Sequence, residues 1–251
     1  MTEIIMHGCN GKMGQTITHL LEGDPDAKIV AGVDPYDDGH NAYPVFPNIG
    51  ACEVKADVII DFASAKAVDA LLDYCVERQI PLVLCTTGLS DAQLDRVEEC
   101  AKKVAILKSA NMSLGINTLF KVLKSVAPLF AEAGYDIEIV EQHHRLKLDA
   151  PSGTALALAD AVNEALPEKY EYVFDRSTRR EKRPEKEIGI SAVRGGTIVG
   201  DHEVIFAGED EVITFKHTAY SKAVFAKGAI EAAKFLAGQP AGRYTMKEVI
   251  G

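Results

Sequence analysis

The sequence is poor in cysteine, and its cysteines follow no pairing pattern. Cys9, Cys52, Cys75, Cys85 and Cys100 are odd in number, show no CxxC spacing and all lie in the first 100 residues. Such a set excludes a disulfide framework as the basis of the fold and fits reduced thiols in a cytoplasm. Without paired cysteines or a His-x-x-x-His arrangement no zinc site is expected, and no metal is assigned. Positive charge is also short: 27 Lys and Arg face 37 Asp and Glu, a formal net charge of −10. Binding nucleic acid by general electrostatics calls for the opposite balance. No apolar run approaches the roughly 20 residues that span a bilayer. The opening MTEIIMHGCNGKMG lacks the basic segment and long apolar core of a secretory leader. Internal repeats and low-complexity tracts are missing as well. Neither nucleic acid nor membrane is expected as a partner, and an acidic cytoplasmic enzyme fits this balance.

The sequence does carry an ordinary globular mixture, 47% hydrophobic and 25% charged, over 251 residues. That length exceeds one average domain and barely makes two. In the first half, short apolar runs at 3–7, 28–33, 57–61, 81–85 and 104–108 alternate with amphipathic stretches at 11–21, 64–78 and 90–102. Nearly continuous Val, Ile and Leu runs are those of parallel strands buried on both faces. The alternation therefore predicts a doubly wound α/β domain.

The pattern changes near residue 115. Residues 116–131 read as a helix that Pro128 kinks or ends. Residues 135–142 alternate apolar and polar as a half-exposed strand does, and 152–166 read as a helix. Three strands at 188–194, 200–207 and 211–218, with glycine-containing turns, predict an antiparallel or mixed sheet. A helix over 222–236 and a short tail at 246–250 close the chain. Residues 175–187, DRSTRREKRPEKE, read as a solvated, mobile loop, and their acidic residues argue against a nucleic-acid contact.

The most informative turn of the first half is Gly8-Cys9-Asn10-Gly11-Lys12-Met13-Gly14, spaced GxxGxxG. It follows the first strand and opens the first helix. Glycines let the backbone approach a pyrophosphate, and a helix N-terminus offers N–H groups and a positive dipole. The competing reading is a turn needed only for tight helix–sheet packing. Asp34 ends the second strand twenty residues beyond Gly14, where a carboxylate can bind adenosine ribose hydroxyls. Pro35 follows it and no Lys or Arg appears before Lys55, so NADH is expected over NADPH. Lys12 is the one cation near the turn. Thr86-Thr87-Gly88 and Ser109-Ala110-Asn111-Met112-Ser113 follow later strands, where small polar residues suit either a nicotinamide site or plain turn and cap chemistry.

The second half holds a basic cluster, EQHHRLKLDAPSGT, over 141–154. Two His, an Arg and a Lys fall within five residues, and Ser152-Gly153-Thr154 then opens a helix. A helix N-terminus with hydroxyls is a ready carboxylate or phosphate site. His143 suits proton transfer near neutral pH, and Lys147 adds a charge and a proton donor. The competing reading is a surface feature at a strand end. Adjacent strand residues face opposite ways, so His143 and His144 share a pocket only if the strand ends or bends there; His143, Arg145 and Lys147 share a face if it stays extended.

These residues resemble the dihydrodipicolinate (4-hydroxy-tetrahydrodipicolinate) reductase family. EQHHRLKLDAPSGTA is similar to its signature, and GCNGKMG, DVIIDFA, TTGL, SANMSLGIN and AVRGGTIVGDHEVIFAG extend the likeness along the whole chain. The resemblance implies NADH- or NADPH-dependent reduction of a cyclic imine dicarboxylate to tetrahydrodipicolinate in diaminopimelate and lysine biosynthesis. It implies His143 as acid–base residue, Lys147 as proton donor, and His144, Gly153 and Thr154 as substrate contacts. For the cofactor it implies Gly8, Cys9, Asn10, Gly11, Lys12, Met13, Asp34, Cys85, Thr86, Thr87, Ser109, Ala110, Asn111 and Met112. Three departures stand out: Cys85 where a Gly often precedes the threonines, Lys12 for a common Arg, and Pro35 where some members carry an Arg that favours NADPH. The implied architecture is a Rossmann-like domain over 1–113 completed by 222–251, and a substrate-binding and oligomerisation α+β domain over 114–221. A homotetramer formed through the second sheet, with hinge closure over both ligands, is implied too. An aspartate-type dehydrogenase on the same architecture and a dinucleotide sensor without turnover remain the competing readings; neither needs the basic cluster.

Overall fold

The computed structural model describes residues 1–251. The chain runs through β1 (Thr2–His7), α1 (Lys12–Leu21), β2 (Ala27–Val33), β3 (Val45–Phe46), β4 (Val58–Asp61), α2 (Val68–Arg78), β5 (Leu82–Leu84), α3 (Asp91–Ala101) and β6 (Ala105–Leu107). It continues with α4 (Leu114–Glu132), β7 (Asp136–His143), α5 (Gly153–Ala165), β8 (Glu171–Phe174), β9 (Glu187–Arg194), β10 (Gly200–Ala207) and β11 (Val212–Ala219). It ends with α6 (Ala223–Leu236), β12 (Gly242–Tyr244) and α7 (Met246–Ile250). Two compact units result: Met1–Leu114 with Ala223–Gly251, and Gly115–Lys222.

The first unit is a Rossmann-like, doubly wound sheet in the order β12-β6-β5-β4-β1-β2-β3, every pair parallel. Its strands are apolar on both faces because both faces are covered. Ile4, Met6, Val58 and Ile60 pack with Ile17 of α1 and Ala226, Ala229 and Ile230 of α6. Ile5, Ile59, Leu82 and Leu84 pack with Leu71 and Leu72 of α2 and Val97 of α3. Each fully buried aliphatic side chain stabilises by about 1.5–3 kcal/mol, which a polar residue on either face would forfeit. α3 is fixed at its start by a reciprocal Ser90–Gln93 capping box. The sequence pattern gives no sign of β3 and β12, which are two and three residues long, too short for any periodicity.

The second unit is α+β. Its sheet is mixed, in the order β11-β10-β7-β9-β8. β10 pairs antiparallel with β11 and β7, while β9 pairs parallel with β7 and β8. Thus β9 and β10, consecutive in sequence, are separated by β7. Ile137, Ile139, Ile188, Ile190, Val204 and Phe206 face α4 and α5 and form the core with Leu123, Ala127, Leu158 and Val162. α4 is the one helix long and apolar enough, at 19 residues, to cross a membrane by length and composition alone. Lys121 and Lys124 interrupt its apolar run, and its Leu123 and Ala127 are buried in this core.

Two expectations are corrected here. Pro128 does not end the helix: α4 continues to Glu132. The lost bond is the one to the carbonyl of Lys124, an exposed residue whose carbonyl water can serve. Residues 175–187 are also more than a solvated, mobile loop. Arg183, 16% exposed, donates from Nε to Glu138 at 2.9 Å and from Nη1 to Asp136 at 2.7 Å. Its Nη2 donates to the carbonyls of Ile137 at 3.0 Å and Glu187 at 2.7 Å. Arg176 pairs with the buried Glu187. The charge run looks solvated in sequence because Arg183 finds Asp136, Ile137 and Glu138 on β7, far away in the chain.

Candidate active site

In the first unit the glycine turn stands at the C-terminal edge of the sheet. Gly8 has φ +83°, and a Cβ there would lie 2.9 Å from the backbone of Phe62 and Ala63. A Cβ at Gly14 would run into the carbonyls of Gly8 and Cys9. Packing alone therefore accounts for Gly8 and Gly14. Gly11 is different: it is the extended N-cap of α1, no side chain caps that helix, and the residue lines a cavity. This cavity is about 500 Å³ and is bounded by Gly8, Gly11, Asp34, Asn48, Phe62 and Ser64, among others. Asp34 is already oriented: its carboxylate accepts from the N–H of Asn10 and the N–H of Tyr36, each at 3.1 Å.

The other cofactor candidates fall into separate places. Cys9 is buried in the core and Met13 packs against it, so these two offer backbone only. Burial raises the Cys9 thiol to about 11 and holds Cys85 well above the ordinary thiol range, so neither is a ready thiolate. Lys12 and Thr87 are exposed, and Thr86 is buried with an unpartnered hydroxyl. Ser109 and Asn111 are half-buried, Ala110 is exposed and Met112 is buried. These loops follow β5 and β6 on the same sheet edge but do not line the glycine-turn cavity. Lys108 joins them, donating to the Thr86 carbonyl at 3.2 Å, and burial lowers its pKa.

In the second unit β7 places Ile137, Ile139, Glu141 and His143 on its buried face. The strand stops at His143 and turns, with the Lys147 N–H bonded to the His144 carbonyl at 3.1 Å. The extended arrangement aligning His143, Arg145 and Lys147 is therefore absent, because the chain leaves the sheet there. His144 and Lys147 are half-buried and Arg145 is exposed. Lys147 forms an ion pair with Asp149 at 2.8 Å, and its hydrogen bond holds the Asp149 carboxyl below the usual range. Ser152 caps α5 by accepting from the Ala155 N–H at 3.2 Å. Thr154 is half-buried in the first turn beside exposed Gly153, around which nothing else comes within 4 Å of a Cβ position.

Behind this surface Glu141, Arg194 and His202, to which the sequence assigned no role, join His143 and Ser152 in a polar cluster. Glu141, fully buried, accepts from both Arg194 Nη atoms at 2.7 Å and from the Ser152 N–H at 2.9 Å, and lies 2.6 Å from His143 Nδ1. Burial pushes its carboxyl up, but the bonds from Arg194, His143 and Ser152 outweigh burial and leave it below the usual glutamate range. Arg194 also donates to the Asp149 carbonyl at 2.5 Å, tying down the loop that carries Lys147. His202 meets Ser152 Oγ at 3.0 Å and packs edge-on to His143; burial first, then His143, pushes it down to about 4. One signal was present in the sequence: in D-I-E-I-V-E-Q-H, Glu141 occupies the parity of the core isoleucines. No group of His, Cys, Asp and Glu is arranged to hold a metal ion.

Comparison with known proteins gives a family. The model described as "Dihydrodipicolinate reductase, N-terminus" matches residues 2–112, and "Dihydrodipicolinate reductase, C-terminus" matches residues 115–250. The 4-hydroxy-tetrahydrodipicolinate reductase of Caldanaerobacter subterraneus subsp. tengcongensis is 51% identical over 100% of this chain and 98% of its own. That of Clostridium tetani is 50% identical over 98% of this chain and 96% of its own. Among solved structures, the dipicolinate-bound dihydrodipicolinate reductase from Paenisporosarcina sp. TG-14 is 25% identical, with 99% of each chain covered and a TM-score of 0.82.

Proposed function

The chain belongs to the dihydrodipicolinate reductase family, and on that premise we propose how its own residues divide the work. It is an oxidoreductase of diaminopimelate and lysine biosynthesis, reducing 4-hydroxy-tetrahydrodipicolinate with a nicotinamide nucleotide. That nucleotide, when bound, supplies the hydride. The glycine turn fits it: α1 opens without a side-chain cap at Gly11, on a cavity that Asp34 also borders. The first unit accordingly binds the cofactor, with Gly8–Met13 at the pyrophosphate, Asp34 at the ribose, and Cys85, Thr86, Thr87 and Ser109, Ala110, Asn111 and Met112 toward the nicotinamide half.

The second unit binds the substrate. Its two carboxylates need positive charge, which the α5 N-terminus at Gly153 and Thr154, with His144 and Lys147, supplies. Electron density that builds on the ring after hydride arrival takes a proton from Lys147, with His143 as the acid–base partner. The observation that carries this assignment is His143, 8% exposed at the end of β7, held at Nδ1 by Glu141 and followed four residues later by Lys147. The test is turnover of freshly prepared cyclic imine. Lys147→Ala should lower kcat by roughly 10²-fold or more. An unchanged kcat with a raised KM would mean uniform binding and remove the proton-donor role.

NADH is the preferred cofactor in this reading. Asp34, followed by Pro35 and with no Lys or Arg before Lys55, meets a 2′-phosphate with negative charge, and Lys12 is the one cation near the turn. A roughly tenfold higher kcat/KM with NADPH, or unchanged NADH kinetics in Asp34→Ala, overturns this. The protein assembles as a homotetramer through the sheet face opposite α4 and α5, where Val193 and Val212 are exposed at 45% and 62%. A monomeric mass by sedimentation equilibrium would refute it. Five free thiols suit a cytoplasmic location.

A further inference from the structure

We infer that Glu141, held by Arg194, is a positioning residue that fixes the proton of neutral His143 on Nδ1 and so makes Nε2 the nitrogen through which His143 exchanges protons. The inference rests on His143 being the acid–base residue. Glu141 Oε1 accepts from the Ser152 N–H at 2.9 Å and from Arg194 Nη2 at 2.7 Å. Oε2 accepts from Arg194 Nη1 at 2.7 Å and contacts His143 Nδ1 at 2.6 Å. Three of these four donors can only donate, and one of the groups is a guanidinium, so the carboxylate stays ionised and is an acceptor only. Nδ1 must then be the N–H. A neutral imidazole has one proton, so Nε2 is bare; in the imidazolium, Nε2–H is the proton free to leave.

The surroundings of Nε2 agree. Gly200, at the start of β10, leaves space there: a Cβ on that residue would stand 3.1 Å from His143 Nε2. Arg194 extends the same device to the second proton carrier. Its Nη2 holds the Asp149 carbonyl at 2.5 Å, and Asp149 Oδ1 holds Lys147 Nζ at 2.8 Å. One buried ion pair thus sets the tautomer of His143 and the position of the loop that carries Lys147, though neither Glu141 nor Arg194 need touch the substrate.

Neutron diffraction of the full chain with NADH, from crystals at mildly alkaline pH, reads the tautomer directly. The expected map shows deuterium on His143 Nδ1 and none on Nε2 or on Glu141. Deuterium on Nε2 alone, or on the Glu141 carboxyl, overturns the inference. In Glu141→Gln, an amide oxygen at the Oε1 position keeps Ser152 N–H and Arg194 Nη2, while the amide nitrogen faces both His143 Nδ1 and Arg194 Nη1 and loses the latter bond, so the deuteron should move to Nε2. kcat should fall by roughly 10²-fold, with a much smaller change in substrate KM. A Gln variant that loses kcat with the deuteron still on Nδ1 would make Glu141 merely structural. Should that variant not fold, the wild-type map decides alone. The two readings fail separately: His143→Ala with wild-type kcat removes the acid–base role and leaves the tautomer standing, whereas the wrong wild-type tautomer does the reverse.

Discussion

Each unit ends a central strand on a buried histidine that meets a carboxylate, and the two pairs differ in what stands behind the carboxylate. In the first unit, His7 Nδ1 lies 2.7 Å from Asp61 Oδ1, joining the paired ends of β1 and β4. The same Asp61 oxygen accepts from the Ala63 N–H at 3.1 Å, and its other oxygen, fully buried, has no partner. His7 is the basic group in ion-pair contact with it, and Lys108 acts on it only at longer range. In the second unit, His143 meets Glu141 at a similar distance, but Glu141 is also gripped by a guanidinium and a backbone N–H. A histidine–carboxylate contact alone therefore says little about catalysis. What matters is whether other charges oblige the carboxylate to stay ionised, because only then does the histidine's proton have a fixed place.

The sharpest way to break this comparison is to remove Arg194. Arg194→Ala leaves Glu141 buried with no guanidinium, and losing one partner of a buried pair costs ~3–5 kcal/mol. Urea unfolding should show a destabilisation of that size, and kcat should fall as well because the Lys147 loop loses its tie to Asp149. A cost below about 1 kcal/mol, the scale of an exposed pair, would mean that Arg194 does not secure Glu141 and that the two histidine pairs are alike.

His202 gives the next largest effect and a signed pH dependence. It faces His143, Glu141, His217 and Lys147, and burial is the main reason its pKa drops from 6.5 to about 4. The unfolded chain thus takes up a proton at higher pH than the folded one. Stability is full above pH 6.5 and is lost as pH falls toward about 4, by on the order of 3 kcal/mol across that window. His217 is also lowered by burial and acts in the same direction; the lowered Glu141 adds its own loss at more acid pH. Thermal midpoints between pH 7 and pH 4 should fall steeply in the wild type and less in His202→Gln, which keeps a polar group for Ser152. An identical slope in both would show that His202 titrates as it does in the unfolded chain.

These differences also mark what the sequence could and could not disclose. The doubly wound sheet is legible because strands buried on both faces must be apolar throughout, as 57–61 and 81–85 are. The glycine turn is legible because its spacing reflects local backbone needs at Gly8 and Gly14. His143, Lys147 and Ser152 are contiguous enough to be read together. The Arg194–Glu141 pair is not, since its members lie 53 residues apart and meet only because β9 pairs parallel with β7. Strand order is likewise hidden: nothing local to 188–207 tells that β7 inserts between β9 and β10. Arg183 escaped for the same reason, its carboxylate acceptors Asp136 and Glu138 being on β7.

The smallest expected effect tests the other half of the comparison. Asp61→Asn keeps an oxygen for His7 and for the Ala63 N–H, and removes a buried charge whose second oxygen is unpartnered. Weakening one charge-assisted bond, and leaving an amide nitrogen unpartnered where that oxygen stood, should cost ~1–2 kcal/mol. The pair lies beneath the glycine turn, since Asp61 precedes Phe62 and Ala63 and His7 precedes Gly8. Any functional effect should therefore be a KM for NADH raised by about threefold, with kcat within about twofold of wild type, the pattern of a perturbed binding surface. Steady-state kinetics beside Glu141→Gln decides the matter. If Asp61→Asn loses as much kcat as Glu141→Gln, an arginine behind the carboxylate is not what separates a proton-handling histidine from a clamp between two strands.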